Sequence, residues 1–310
     1  MKRSRKWAMV VRFGWTKVSR SLGLAKFRSC WQDVRIVAKA KLELKKLGNS
    51  SGSVAYVTLS RPDASNAMDG EMIAELTAAF EKVQAMGLNC RALILRGEGK
   101  NFCAGADLEW MKRSKDLSLE ENRREAQALS RMFHALYELE TPTIAVVHGA
   151  AYGGAVGLAA CCDYVIAHEK ARFCLSEVKV GLVAAVILPF LHLKIHAGFL
   201  RRFVLGATVF DGEEARHAGL VQLVDYDGDL EKVLKAELAS VLAGEPHVQR
   251  AFKKNHRRLL ERDAAWWEEQ SRIGIETIAA ARVSPTGQEG INAFFEKRKP
   301  SWVVSAEDKV

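Results

Sequence analysis

The sequence predicts an α/β layered domain with parallel strand pairing, followed by a mainly helical C-terminal section. Short β-branched runs alternate with amphipathic helical stripes, the pattern of strands that cross over through helices. Strand signals then fade after about residue 230. Two turns rich in glycine and alanine, "GKNFCAGADL" and "VVHGAAYGGAV", each join a short strand to a helix. At 310 residues, 48% apolar and 27% charged, the chain can bury a sizeable core.

Residues 1–38 form a basic N-terminal extension. Residues 1–50 hold 14 Lys and Arg against Asp33 and Glu43, a balance of +12, and the rest of the chain carries −3. The basic character therefore belongs to the extension and not to the fold. Its origins in competition are an upstream segment from a misplaced start, an organelle transit peptide, and a basic arm for nucleic acid or membrane. Arg12 and Lys17 break the early apolar stretch "WAMVV", which argues against a secretory signal.

Residues 39–230 make the core. "KLELKKLG" and "SVAYVTLS" are alternating runs around "NSSGS", a hairpin pattern, and "RPDASNAMD" is a loop. Asp69 is placed to cap a helix in which Met72, Ile73, Leu76, Phe80 and Val83 recur at three and four. "RALILRG" is a buried strand, residues 117–139 a long helix, "PTIAVVHG" the next strand and "DYVIAH" another. Residues 231–305 form the C-terminal region, with helices expected in "DLEKVLKAELASVLAG" and over residues 251–281.

The run at residues 143–162 is long enough to cross a bilayer. It lacks long aliphatic side chains, contains His148 and four glycines, and starts as a buried strand, so no membrane span is expected. The six cysteines show no metal-ligand spacing, and an adjacent pair such as Cys161 and Cys162 seldom forms a disulfide; reduced thiols are expected. Dinucleotide, P-loop, G-x-S-x-G and H-E-x-x-H signatures are absent. Helices that open at the glycine-rich turns have unpaired N–H groups, and two such turns facing each other would make a two-amide oxyanion hole; small residues also serve close packing alone.

The blocks "RPDASNAM", "NFCAGADL", "HGAAYGGAVGLAACCDYVIAHEKARFCLSEVKVGL" and "EGINAFFEKRKP", in this order and spacing over about residues 41–300, resemble the enoyl-CoA hydratase/isomerase (crotonase) superfamily. The resemblance implies ββα units in a right-handed spiral, C-terminal helices that build a homotrimer or hexamer, an acyl-CoA thioester substrate, no metal, and no cofactor beyond the coenzyme A of the substrate. It places the two oxyanion amides at Ala104 and Gly154. It puts Asn66, Ala67, Met68, Ala106, Asp107 and Leu108 along the coenzyme A. Phe294 and Lys297 fall at positions that reach the adenine and 3′-phosphate, although Lys297 also fits a solvated charge on a basic helix end.

Glu177 matches the family's second catalytic glutamate; otherwise it would be a surface or salt-bridged acid. The glutamate that standard hydratases carry in the glycine-rich helix is Gly157 here. Tyr152, Asp107, Glu109 and His148 stand near in sequence as substitutes, Tyr152 reading more as a packing residue or pocket wall. The motifs are most similar to methylglutaconyl-CoA hydratase-type members, which implies reversible hydration of an α,β-unsaturated acyl-CoA, branched ones included. The alternative is a Δ3,Δ2-enoyl-CoA isomerase. The rival from another class is a nucleic-acid-binding protein using the basic arm; nucleic acid is not the expected partner. A carboxylated substrate of that subgroup would want a cation near the acyl end, and the sequence alone does not identify one. "GLVAAVILPFL" is expected to shape the acyl pocket, with Ala184 where the subgroup tends to have proline. The location expected is the cytoplasm, or the mitochondrial matrix if the extension is a transit peptide.

Overall fold

The computed structural model describes residues 38–47, 52–259 and 263–303. The basic extension and the tip of the first hairpin lie outside these residues. β1 (Ala40–Lys46) pairs antiparallel with β2 (Ser53–Leu59), Ala40 opposite Leu59 and Lys46 opposite Ser53, as the alternating runs predict. β1 is the sheet edge and shows most of its side chains to solvent, whereas β2 has neighbours on both sides and is buried.

The helix α1 (Gly70–Met86) begins where Asp69 accepts a hydrogen bond from the Met72 N–H, and it buries the predicted stripe from Met72 to Val83. It returns the chain to β3 (Cys90–Gly97), parallel to β2. Asp107 caps α2 (Leu108–Ser114), and a reciprocal Ser118–Glu121 capping box starts α3 (Leu119–Tyr137). β4 (Thr143–Val147) is wholly buried. β5 (Ala150–Tyr152), α4 (Gly154–Cys161), β6 (Tyr164–His168) and β7 (Arg172–Cys174) follow.

After β7 come α5 (Leu188–Lys194), α6 (Ala197–Gly206), α7 (Gly212–His217) and β8 (Leu223–Asp225). The main sheet has the order β1-β2-β3-β4-β6-β8 and is parallel after its first pair. A second layer pairs β5 with β7 in parallel, and single bridges join Cys103 to Ala151 and Met68 to Ala106. Two strands and a helix thus recur as β1-β2-α1 and β4-β5-α4. The apolar run at residues 143–162 resolves into a strand, a short strand and one short helix. No helix among the described residues is long and apolar enough to cross a membrane.

One face of the main sheet packs on α1, α3 and α4 in the principal core. The other face, through Val54, Ile94, Ile144 and Ile166, meets Leu234 and Val241 of α8 (Leu230–Ala243). The helical stretch expected over residues 251–281 spans two helices, α9 (Pro246–Leu259) and α10 (Ala264–Val283), followed by α11 (Pro285–Phe295). Asp263 caps α10 by accepting from the Trp266 N–H, a stop-and-start signal stronger than the apolar continuity around it. No residue of α9 is buried. Charge holds it in place: Lys253 reaches the Thr141 carbonyl and Asp163, Arg250 pairs with Glu140, and Arg257 donates to the carbonyls of Glu138 and Leu139 past the end of α3.

Candidate active site

The site forms where the two glycine-rich turns run side by side. The Cys103 N–H donates to the Ala150 carbonyl (3.0 Å), and the Tyr152 N–H donates to the Cys103 carbonyl (3.1 Å). On the other flank the Gly153 N–H donates to the Cys174 carbonyl (2.8 Å). This parallel pairing brings the N-terminus of α4 beside a 3₁₀ turn, Glu177–Val180, whose first residue is the predicted acid. Gly153 takes φ +54°, and a Cβ there would lie 3.2 Å from Glu177 Oε1. Its missing side chain is the room in which the carboxylate sits.

Glu177 lines a cavity of about 100 Å³ together with Met68, Ala106, Gly154, Trp110, Ile278, Arg282 and the loop at residues 182–187. That volume is on the scale that admits a short hydrocarbon chain. Glu177 Oε2 is buried without a hydrogen-bond partner among the described residues. Burial pushes the carboxyl up to about 7, opposed only by its own backbone N–H. A group poised there can both take and return a proton near neutrality.

Gly154 lines this cavity, and Ala104 does not. The Ala104 N–H is already engaged by the Ser65 carbonyl at 2.9 Å, which corrects its expected role as an oxyanion donor. Ala106, two residues on, lines the cavity instead. Its two neighbours pair with Met68, the Gly105 carbonyl accepting from the Met68 N–H and the Asp107 N–H donating to the Met68 carbonyl, and its own N–H has no acceptor among the described residues. The same holds for the Gly154 N–H, the first of α4. Two unengaged amides and one unpaired carboxylate thus face one apolar space.

The residues expected along the coenzyme A divide. Met68 lines the cavity, as Ala106 does. Asn66 does not: it is fully buried, and its side chain is consumed by backbone, accepting from the Arg61 N–H (2.8 Å) and donating to the carbonyls of Glu98 and Asn101 (2.8 Å each). It pins the loop that carries Met68. Asp107 is likewise occupied, capping Trp110 and pairing with Arg61 at 2.9 Å. Ala67 is buried, and its carbonyl accepts from Arg61 Nη1. Leu108, Phe294 and Lys297 are exposed and lie outside the cavity lining.

None of the proposed stand-ins for the missing glutamate lines the cavity. His148 Nε2 meets the Gly99 carbonyl at 2.9 Å, and Glu109 is exposed. The space next to Gly157 is filled: a Cβ there would come within 2.4 Å of Ile187 Cγ2 and 3.0 Å of Phe133 Cε1. Where a second acid would stand there is hydrocarbon. The buried thiols offer no nucleophile, since burial pushes Cys103 and Cys162 up to about 12. Among the described residues no cluster of His, Cys, Asp and Glu could hold a metal ion.

The sequence reading missed Trp110, Ile278 and Arg282. Trp110 stands two residues past the "NFCAGADL" block, and Arg282 is a lone cation in the apolar stretch "TIAAARV", which is the one signal the sequence carries for it.

Comparison with known proteins accords with this geometry. The sequence profile of the enoyl-CoA hydratase/isomerase family matches residues 49–304. A Thermus thermophilus protein provisionally named enoyl-CoA hydratase is 36% identical over 251 residues, covering 80% of this chain and 97% of its own length. A mitochondrial Δ(3,5)-Δ(2,4)-dienoyl-CoA isomerase from Dictyostelium discoideum is 30% identical, covering 84% and 90%. The crystal structure of an enoyl-CoA hydratase from Shewanella pealeana superposes with a TM-score of 0.66 at 38% identity, over 84% of this chain and 95% of that one. The paired turns, the strand-strand-helix units and these matches together establish that the chain belongs to the enoyl-CoA hydratase/isomerase (crotonase) superfamily.

Proposed function

We propose that the protein is an enoyl-CoA hydratase that adds water reversibly across the α,β-double bond of a short acyl-CoA, branched, methylglutaconyl-like chains included. The observation that carries this reading is the unpaired Glu177 carboxylate beside the unengaged N–H groups of Ala106 and Gly154. The thioester oxygen accepts from both amides and gains their stabilisation as it takes on enolate charge. Glu177 removes a proton from water as its oxygen bonds to the β-carbon. The same carboxyl then returns that proton to the α-carbon, so one acid serves both ends of the addition. Coenzyme A enters as part of the substrate, past Met68 and Ala106. In a homotrimer or hexamer, the exposed Phe294 and Lys297 of one chain would be placed to meet the nucleotide end.

The hydrocarbon at Gly157 favours a second reading, a Δ3,Δ2-enoyl-CoA isomerase, in which one carboxylate moves a proton between two carbons. Loss of enoyl absorbance with crotonyl-CoA or 3-methylglutaconyl-CoA supports the hydratase, and turnover unchanged in Glu177→Gln discards it. Appearance of the conjugated thioester from a 3-enoyl-CoA supports the isomerase; none at any enzyme concentration removes it.

A further inference from the structure

The cavity holds a second charged group that the hydration steps above leave unused. Arg282, in the last turn of α10, lies one helical turn beyond Ile278, and both line the cavity. Its side chain is only 7% exposed. It rests on the Trp110 ring, with the guanidinium carbon 4.9 Å from the ring centre. All of its side-chain hydrogen bonds leave from Nη1, to Asn122 Oδ1 at 3.4 Å and to Glu125 Oε2 at 3.3 Å. Asn122 is itself fixed, its amide donating to the carbonyls of Ser114, Leu117 and Ser118.

The compensation is thin for a buried guanidinium. Glu125 is shared, since it also accepts from Trp110 Nε1 at 2.9 Å and from Arg113 at 3.3 Å. One carboxylate therefore serves two guanidinium groups. Nε and Nη2 of Arg282 have no acceptor among the described residues. The guanidinium as a whole is buried, yet these two nitrogens are not fully enclosed, so a ligand that enters can reach and complete this edge. That edge, two parallel N–H donors in a plane, matches the two oxygens of a carboxylate.

The rest of the lining narrows the choice of anion. Met68, Ile73, Leu129 and the loop at residues 182–187 suit a hydrocarbon chain, and Glu177 would repel an anion placed beside it. Among the described residues no hydrogen bond or ion pair joins Glu177 to Arg282, so the guanidinium is not already neutralised by that acid.

We propose that Arg282 is a specificity-determining residue that receives a carboxylate at the far end of a short acyl chain, so that the preferred substrate is the mono-thioester of a short dicarboxylic acid. This rests on the reading of the cavity as an enoyl-thioester site. It names the cation that the sequence alone did not.

Binding of two saturated probes, which cannot be hydrated, tests the subsite apart from the chemistry. Calorimetry on the wild-type protein should give glutaryl-CoA a Kd at least tenfold lower than valeryl-CoA. In Arg282→Met that advantage should vanish while valeryl-CoA binding stays within about threefold, and Arg282→Lys should restore part of it. Equal Kd values in the wild type overturn the proposal, as does an equal loss for both probes in folded Arg282→Met. Should that variant not fold, the wild-type pair and Arg282→Lys still decide. Turnover of glutaconyl-CoA and 2-pentenoyl-CoA separates the two readings. Tighter glutaryl-CoA binding with neither enoyl substrate hydrated keeps the subsite and removes the hydratase; hydration of both with equal kcat/KM and equal probe binding does the reverse.

Discussion

The cavity has two unlike walls. One, at the start of α4, carries a carboxylate oxygen without a partner and two amide N–H groups without acceptors among the described residues. The other, built from Ile73, Leu129 and residues 182–187, is hydrocarbon and continues into the Ile187–Phe133 contact at Gly157. A buried polar atom without a partner costs about 1–3 kcal/mol, and Glu177 Oε2 is one. It stands on the wall where a water can complete it, beside amides that a thioester oxygen can reach. The difference teaches where the chemistry is confined, and that the position of a second acid has become part of the dry wall.

The largest effect should come from the polar wall. Glu177→Gln keeps the shape and removes the proton carrier, so hydration of an enoyl thioester, followed by absorbance, should fall by about 10²–10⁴-fold with little change in binding of a saturated acyl-CoA. Gly154→Pro comes next. Proline is tolerated at the first position of a helix and deletes one N–H. The loss of one oxyanion donor should lower kcat by about 10²–10³-fold; an added Cβ would stand 2.9 Å from Met68 Cε, so that side chain must shift and a modest fall in melting temperature should accompany it. A kcat within a factor of two of wild type would mean that the α4 amide does not meet the thioester.

The hydrocarbon wall should answer in stability. Gly157→Glu forces a side chain against Ile187 and Phe133 and buries a carboxylate. Overpacking of this kind costs about 1–3 kcal/mol, before any penalty for the charge. Adding Ile187→Ala to that variant should recover part of the lost melting temperature, because it empties the space nearest the new side chain. If the single variant melts with the wild type, the wall is looser than the contacts say.

The same contrast explains what could be read beforehand. The succession of strands and helices and the stripe from Met72 to Val83 follow from local periodicity, and the Asp69 cap and the glycine-rich start of α4 from residue type. Glu177 and Gly154 are singled out through the resemblance to the crotonase superfamily, since glycine-rich turns alone also fit close packing. The choice between Ala104 and Ala106 was not legible. It depends on which amide the distant Ser65 carbonyl consumes, and alternation along an extended segment makes a shift of two residues invisible in composition. Asn66 shows the same limit, since its three backbone partners come from residues brought close only by folding. The break between α9 and α10 falls at Asp263, a capping residue type inside a stretch expected only to be helical.

The smallest effect is a dependence on pH, and it reports on the polar wall without substrate. Burial raises the Glu177 carboxyl from an ordinary 4.5 to about 7 in the folded chain. Between those values the folded protein holds a proton that the unfolded chain has lost, so stability falls as pH rises through the window. Below about pH 4.5 both states are protonated, and wild type and Glu177→Gln should melt together. Above about pH 7 the wild type carries the full cost of a buried carboxylate, at most about 3 kcal/mol, and the Gln variant should melt several degrees higher. The sign matters. A carboxylate held by an ion pair would shift the other way, with the wild type gaining on the variant as pH rises. A melting difference that stays constant from pH 5 to pH 8.5 would place Glu177 in water or beside a cation, and would remove the proton carrier on which the polar wall depends.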